Sequence, residues 1–177
     1  MRLHKLPART EGGFHVVVES PRGSRLKLKY EPEVGAFFVG RALPLGYTYP
    51  YDWGFIPGTK GPDGDPFDAL VYWDVPSVTG AVLRCRLLGV LRLDQKGEGK
   101  RRERNDRVIA VPLGHERGED VASVKDLAER VRDELAHFFT SQVYFMPKDP
   151  KVLGWGDTRE AERIVDAAAR AAKRAQK

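Results

Sequence analysis

Apolar and polar positions follow two rhythms along this chain. Over the first two thirds the rhythm is short, and turn residues break it often. Residues 14–19 are apolar and β-branched, and Ser20-Pro21-Arg22-Gly23 ends them as a turn. Residues 26–31 alternate with period two, so Lys27, Lys29 and Glu31 share one face and Leu26, Leu28 and Tyr30 the other. Further strands are expected at 36–39, 69–73 and 107–111. A long one at 81–93 sets Arg84 and Arg86 opposite Leu83, Cys85 and Leu87.

The last third changes period. From Ser123, read as an N-cap with Asp126 in the first turn, the residues Val124, Leu127, Val131, Leu135 and Phe138 recur at steps of three and four. Asp157 and Glu160 have the spacing of a capping box. The helix they would start carries Ala161, Ile164, Val165, Ala168 and Ala172 as one stripe. Short strands followed by two helices predict one α+β domain over residues 1–177, mainly β, with a small barrel and helices packed outside it.

Composition narrows the class. The chain is 41% hydrophobic and 31% charged, which is the balance of a folded globular protein. Thirty Lys and Arg against 25 Asp and Glu leave a charge of +5, suited to a small anion and no argument for nucleic acid. The single cysteine, Cys85, has no disulfide partner within the chain and sits in an apolar stretch, so a buried thiol is expected. Every hydrophobic run is interrupted by Arg or Gly, and residues 1–10 have no apolar signal-peptide core. A cytoplasmic protein without a membrane partner is the expectation.

The candidate chemistry centres on Asp63-Gly64-Asp65-Pro66-Phe67-Asp68. Three carboxylates in six residues repel one another, and Trp53, Phe55, Ile56, Leu70 and Val71 flank them in sequence. A solvated acidic turn is the plain alternative. A cation that compensates the carboxylates is the reading the apolar surroundings favour. An EF-hand calcium loop does not fit, because its sixth position would be Asp68 instead of Gly and its twelfth Asp74 instead of Glu. Hard oxygen donors without nearby Cys or His point to magnesium or manganese. Lys29 and Arg41 are candidate phosphate donors, and Tyr49 offers a phenolic hydroxyl.

Taken together, these segments resemble the first family of soluble inorganic pyrophosphatases. The acidic run carries the resemblance, along with 16–21, Leu28-Lys29-Tyr30-Glu31, Phe38-Val39-Gly40-Arg41, Tyr49-Pro50, Gly54-Phe55-Ile56, 82–91, Ala110-Val111-Pro112, Ala136-His137-Phe138-Phe139 and Gly154-Trp155. The resemblance implies a five-stranded, OB-like barrel with flanking helices, several Mg²⁺ ions (Mn²⁺ as a possible substitute), and hydrolysis of pyrophosphate to two phosphates. It also implies a homo-oligomer, a hexamer in bacterial relatives, to which His137, Phe138 and Phe139 are candidate contributors. By the same resemblance Asp63 and Asp68 hold metal, Asp65 orients or deprotonates the water, and Glu19 and Glu31 act from the rim. Lys29, Arg41, Tyr49 and Arg107 face the substrate.

The chain departs from the family in the second half of the site. Trp53 stands where the family has Tyr. The two later metal-binding aspartates align with Gln95 and Asn105, leaving Asp94 and Asp106 beside them as substitute ligands, and Arg107 aligns with a lysine. The family's Tyr-Lys pair after the helix is Gln142-Val143. Between these positions runs a basic segment, residues 96–107, with six basic and three acidic residues. It is read as a hairpin tip or as a lid for a larger anion such as a nucleotide. Two alternatives to pyrophosphate hydrolysis follow: a phosphoanhydride hydrolase with a larger substrate, and a catalytically impaired binding homologue.

Overall fold

The computed structural model describes residues 2–97, 101–115 and 120–175. Its ten strands and two helices are β1 (Arg9–Thr10), β2 (Gly13–Ser20), β3 (Leu26–Glu31), β4 (Ala36–Ala42), β5 (Asp52–Ile56), β6 (Phe67–Val71), β7 (Val82–Lys96), β8 (Arg102–Arg104), β9 (Arg107–Pro112), α1 (Glu129–Ser141), β10 (Lys151–Gly156) and α2 (Thr158–Ala175).

Five strands close on themselves. β2 pairs with β5, β5 with β6, β6 with β9, β9 with β7, and β7 returns to β2. All these pairings are antiparallel except β6–β9, which is parallel. Closure removes the exposed edges that a five-stranded sheet would otherwise present. The chain crosses itself closely in the barrel wall: a Cβ at Gly54 would lie 1.9 Å from the Val17 carbonyl oxygen, so only glycine fits there. β3 and β4 form a separate hairpin beside β2.

Strand residues are buried on both faces. One cluster joins Phe14, Val16, Ile56, Val71, Cys85, Leu87 and Val108 to Ala161, Val165 and Ala168 of α2. The other joins Trp53, Leu70, Leu88, Leu91 and Ile109 to Leu135, Phe138 and Phe139 of α1. Cys85 is fully buried and unpaired.

Three expectations need correction. β5 and β10 were not expected. Both lack clean alternation, because β5 is buried at every position and β10 contains two glycines. The helix expected from Ser123 starts only at Glu129. Ser123 instead closes a local turn, its N–H donating to Asp126 Oδ2 at 2.7 Å. Val124 and Leu127 are buried all the same, by loop packing.

Asp157 does cap α2, accepting from the Glu160 N–H at 2.9 Å. The Glu160 side chain, however, turns away to Arg92 of β7. Among the described residues no helix is long and apolar enough to cross a membrane.

Candidate active site

The acidic loop is shaped by its own backbone. Gly64 adopts φ +89°, a left-handed conformation that glycine accepts readily. The Asp65 N–H donates to Asp63 Oδ1 at 3.2 Å, and the Gly61 N–H to the Asp65 carbonyl at 2.7 Å. Thr59 anchors the loop, donating to the Ile56 carbonyl at 2.6 Å and accepting from the Phe67 N–H at 2.8 Å. Asp68 then enters β6, so two of the three carboxylates lie on the loop and one on the barrel wall.

These carboxylates border a cleft of about 230 Å³. The β3–β4 hairpin contributes Lys27, Lys29, Glu31 and Arg41, and the end of β2 contributes Glu19. Gln95 approaches from β7, Asn105 from the link between β8 and β9, Arg107 from the start of β9, and Gln142, Val143, Met146 and Lys148 from the segment after α1. Five acidic and five basic side chains therefore face one small space.

Several are already paired. Lys29 Nζ meets Asp65 Oδ2 at 3.1 Å, and this hydrogen bond raises the lysine's pKa. Arg107 Nη1 pairs with Asp68 Oδ2 at 2.5 Å and also donates to Asn105 Oδ1. Arg41 donates to Gln142 Oε1. Glu19, only 7% exposed, accepts the Tyr30 N–H at 2.7 Å. Burial pushes its carboxyl up to about 7, against the pull of that hydrogen bond and with help from the nearby Asp68 charge. Asp63 is raised for like reasons, burial first and then its carboxylate neighbours Asp68 and Asp65. Lys27 is lowered by burial.

Behind the cleft lies an aromatic wall. Trp53 stacks on Tyr49 with centroids 5.9 Å apart and meets Phe139 at 5.4 Å. The Arg107 guanidinium lies 5.3 Å from the Trp53 ring centre.

Most residues predicted for the site thus meet in one place: Glu19, Lys29, Glu31, Arg41, Asp63, Asp65, Asp68, Asn105 and Arg107. Three do not line it. Tyr49 is 1% exposed and packed behind Trp53. Asp94 points into the β7–β8 hairpin, where Arg102 binds it in two-pronged fashion. Asp106 accepts from the Leu93 N–H at 3.0 Å and pairs with Arg104 at 2.8 Å. Asn105 and Asp106 form the link between β8 and β9, and there Asp106 is held toward Leu93 and Arg104 while Asn105 and Arg107 border the cleft.

Sequence reasoning passed over Lys27, although the period-two alternation of β3 puts it on the face of Lys29 and Glu31. It also passed over the Arg41–Gln142 contact, which joins residues 101 positions apart.

Among the described residues no three His, Cys, Asp or Glu side chains converge as a ready-made metal site. The donors are nonetheless those of a hard divalent cation. Carboxylate oxygens of Asp63, Asp65 and Asp68 stand with the amide oxygens of Gln95 and Asn105, and Asp63 is raised first by burial and then by the Asp68 and Asp65 charges, which such an ion would offset.

Comparison with known proteins agrees with this geometry. The family model for Pyrophosphatase, described as inorganic pyrophosphatase, matches residues 16–173. The chain is 35% identical to the inorganic pyrophosphatase of Synechocystis sp. over 167 residues, 94% of this chain and 96% of that one. It is 39% identical to that of Gluconobacter oxydans over 164 residues, 90% and 91% of the two chains. Among solved structures, the inorganic pyrophosphatase from Thermus thermophilus superposes with a TM-score of 0.90 at 34% identity, covering 98% of this chain and 99% of that one. With barrel, cleft and sequence in agreement, the chain belongs to the inorganic pyrophosphatase family.

Proposed function

We propose that this protein hydrolyses inorganic pyrophosphate to two phosphates, using Mg²⁺, with Mn²⁺ able to substitute. The observation that carries this reading is the opposition of Asp63, Asp65 and Asp68 to Lys27, Lys29 and Arg41 across one cleft. Divalent ions use the carboxylates, and phosphate oxygens use the cationic donors.

Asp63 and the unpaired edge of Asp68 are the carboxylate donors for the ion, with Glu19 and Glu31 at the rim. A bound divalent ion lowers the pKa of water and offsets phosphate charge. The chain's own residues do the rest. Lys29 and Arg41 bind and orient the phosphates, Gln142 holds Arg41 by its guanidinium, and Asp65 accepts the proton of the attacking water. Lys29 leaves Asp65 as it turns to a phosphate oxygen, which frees the carboxylate for that proton.

The basic segment does not favour a larger substrate. Lys96 and Arg102 pair with Asp149, Arg102 also with Asp94, and Arg104 with Asp106. Residues 98–100 lie outside the described residues. We also read the protein as a cytoplasmic homo-oligomer, hexameric by family resemblance. The 78% and 84% exposure of Tyr144 and Phe145 supports a partner surface, and a monomer by light scattering would overturn it.

The deciding experiment is phosphate release from pyrophosphate with Mg²⁺, with Mn²⁺ and with chelator, beside Asp65→Asn. Metal-dependent release reduced at least about a hundredfold by the substitution supports the proposal. Absence of release with either metal overturns it and leaves a binding role.

A further inference from the structure

Three positions where the sequence departs from the pyrophosphatase pattern, Trp53, Asn105 and Arg107, meet at one place. Arg107 is 8% exposed. Its Nη1 pairs with Asp68 Oδ2 and donates to Asn105 Oδ1, and the same atom lies 3.4 Å from the Asp106 carbonyl oxygen. Its guanidinium faces the Trp53 ring at 5.3 Å.

Each neighbour suits an arginine. An amide oxygen accepts from it without adding charge, a flat indole supports a flat cation, and a carboxylate neutralises it. A single nitrogen, Nη1, reaches the amide and the carboxylate, and what a lysine in this position could not add is the flat face that lies against the indole. The surroundings hold the guanidinium as a fixed part of the cleft wall.

We propose that Arg107 is a tethered counter-cation for Asp68, so that this cleft recruits one divalent ion fewer than its acidic run would otherwise take. The inference rests on the divalent-cation reading above, but not on the identity of the substrate. Asp68 has two oxygens. Oδ2 is paired with Arg107, so the other oxygen, together with the Asp63 carboxylate in the same cleft, would be what is left to hold a single ion. The amide of Asn105 beside that guanidinium and the amide of Gln95 in the same cleft add no charge that would call for a second ion.

The test counts bound ions directly. Mn²⁺ titration of the full chain, followed by the paramagnetic resonance signal of free Mn²⁺ and by calorimetry, is compared for wild type, Arg107→Gln and Asp68→Asn/Arg107→Gln. The proposal expects Arg107→Gln to bind about one more Mn²⁺ per chain, and the double variant to lose that gain because both charges are gone. Equal counts for wild type and a folded Arg107→Gln overturn it.

Should Arg107→Gln fail to fold without metal, millimolar Mn²⁺ must restore its circular dichroism, since the ion then takes the arginine's place. Failure to restore it counts against the proposal. A wild type that binds no Mn²⁺ refutes the divalent-cation reading itself, which is a separate outcome.

Discussion

Arg92 and Glu160 face each other in a two-pronged ion pair, with Nε and Nη2 at 2.8 and 2.7 Å from the two carboxylate oxygens. The pair fastens the first turn of α2 to β7, the longest strand of the barrel. Arg92 holds the Glu160 carboxyl below its ordinary range. Such a group stabilises the fold above its unfolded pKa, about 4.3, and the contribution is lost as the pH falls through its lower folded value. Glu160→Gln is predicted to cost about 1 kcal/mol at pH 7 and progressively less below about pH 4. Denaturant melts at both pH values check it, and an equal cost at pH 7 and pH 3 would refute it.

Gln142 accepts from Arg41 across a gap of 101 residues. Removing the amide leaves the guanidinium in place but free to rotate. Gln142→Ala is expected to raise KM for pyrophosphate by roughly tenfold and to change kcat by less than about threefold, and Gln142→Glu, which keeps the acceptor, to recover most of the loss. Steady-state kinetics on the three proteins decide the matter. A fall in kcat at unchanged KM would give Gln142 a different role.

The Cys85 thiol is fully buried, and burial raises its pKa well above the ordinary thiol range. The thiolate is the reactive form, so the native protein should resist a thiol-specific reagent and react fully once unfolded. Stoichiometric labelling of native protein within minutes would contradict the packing of β7 against β2 and β9.

Gly54 lies against the Val17 backbone with no room for a Cβ. Gly54→Ala must push two barrel strands apart. A cost of about 3 kcal/mol, or roughly 6–12 °C in Tm for a chain of this size, is predicted. Calorimetry giving a Tm within about 2 °C of wild type would show that the wall yields more easily than its geometry implies.

The parts of this fold that show in the sequence have one face wet or one stripe dry. β3 alternates, α2 carries a clean small-residue stripe, and the acidic run announces itself by its charge density. β5 does not show, because burial on every side erases the alternation that marks a strand. Ser123 misleads because a side-chain turn with Asp126 uses the same residues as a helix cap. In the site, the charged residues of the first half were legible one by one. What could not be read was direction: Asp94 and Asn105 are both polar and near the right register, and only strand pairing decides that the first turns to Arg102 and the second to Arg107. The union of Trp53, Asn105 and Arg107 is a tertiary fact with no local signal.

The barrel's closing seams join distant parts of the chain. β2 waits for β7, about seventy residues on, and β6 waits for β9 in a parallel pairing that no tight turn can make. Topologies of this kind fold slowly, and in a growing chain these two seams stay open until their later strands arrive. That last barrel strand begins at Arg107. The same stretch of polypeptide that seals the wall therefore delivers the cation for Asp68. Until it leaves the ribosome, the nascent chain has an acidic loop with neither a closed barrel behind it nor its arginine partner beside it.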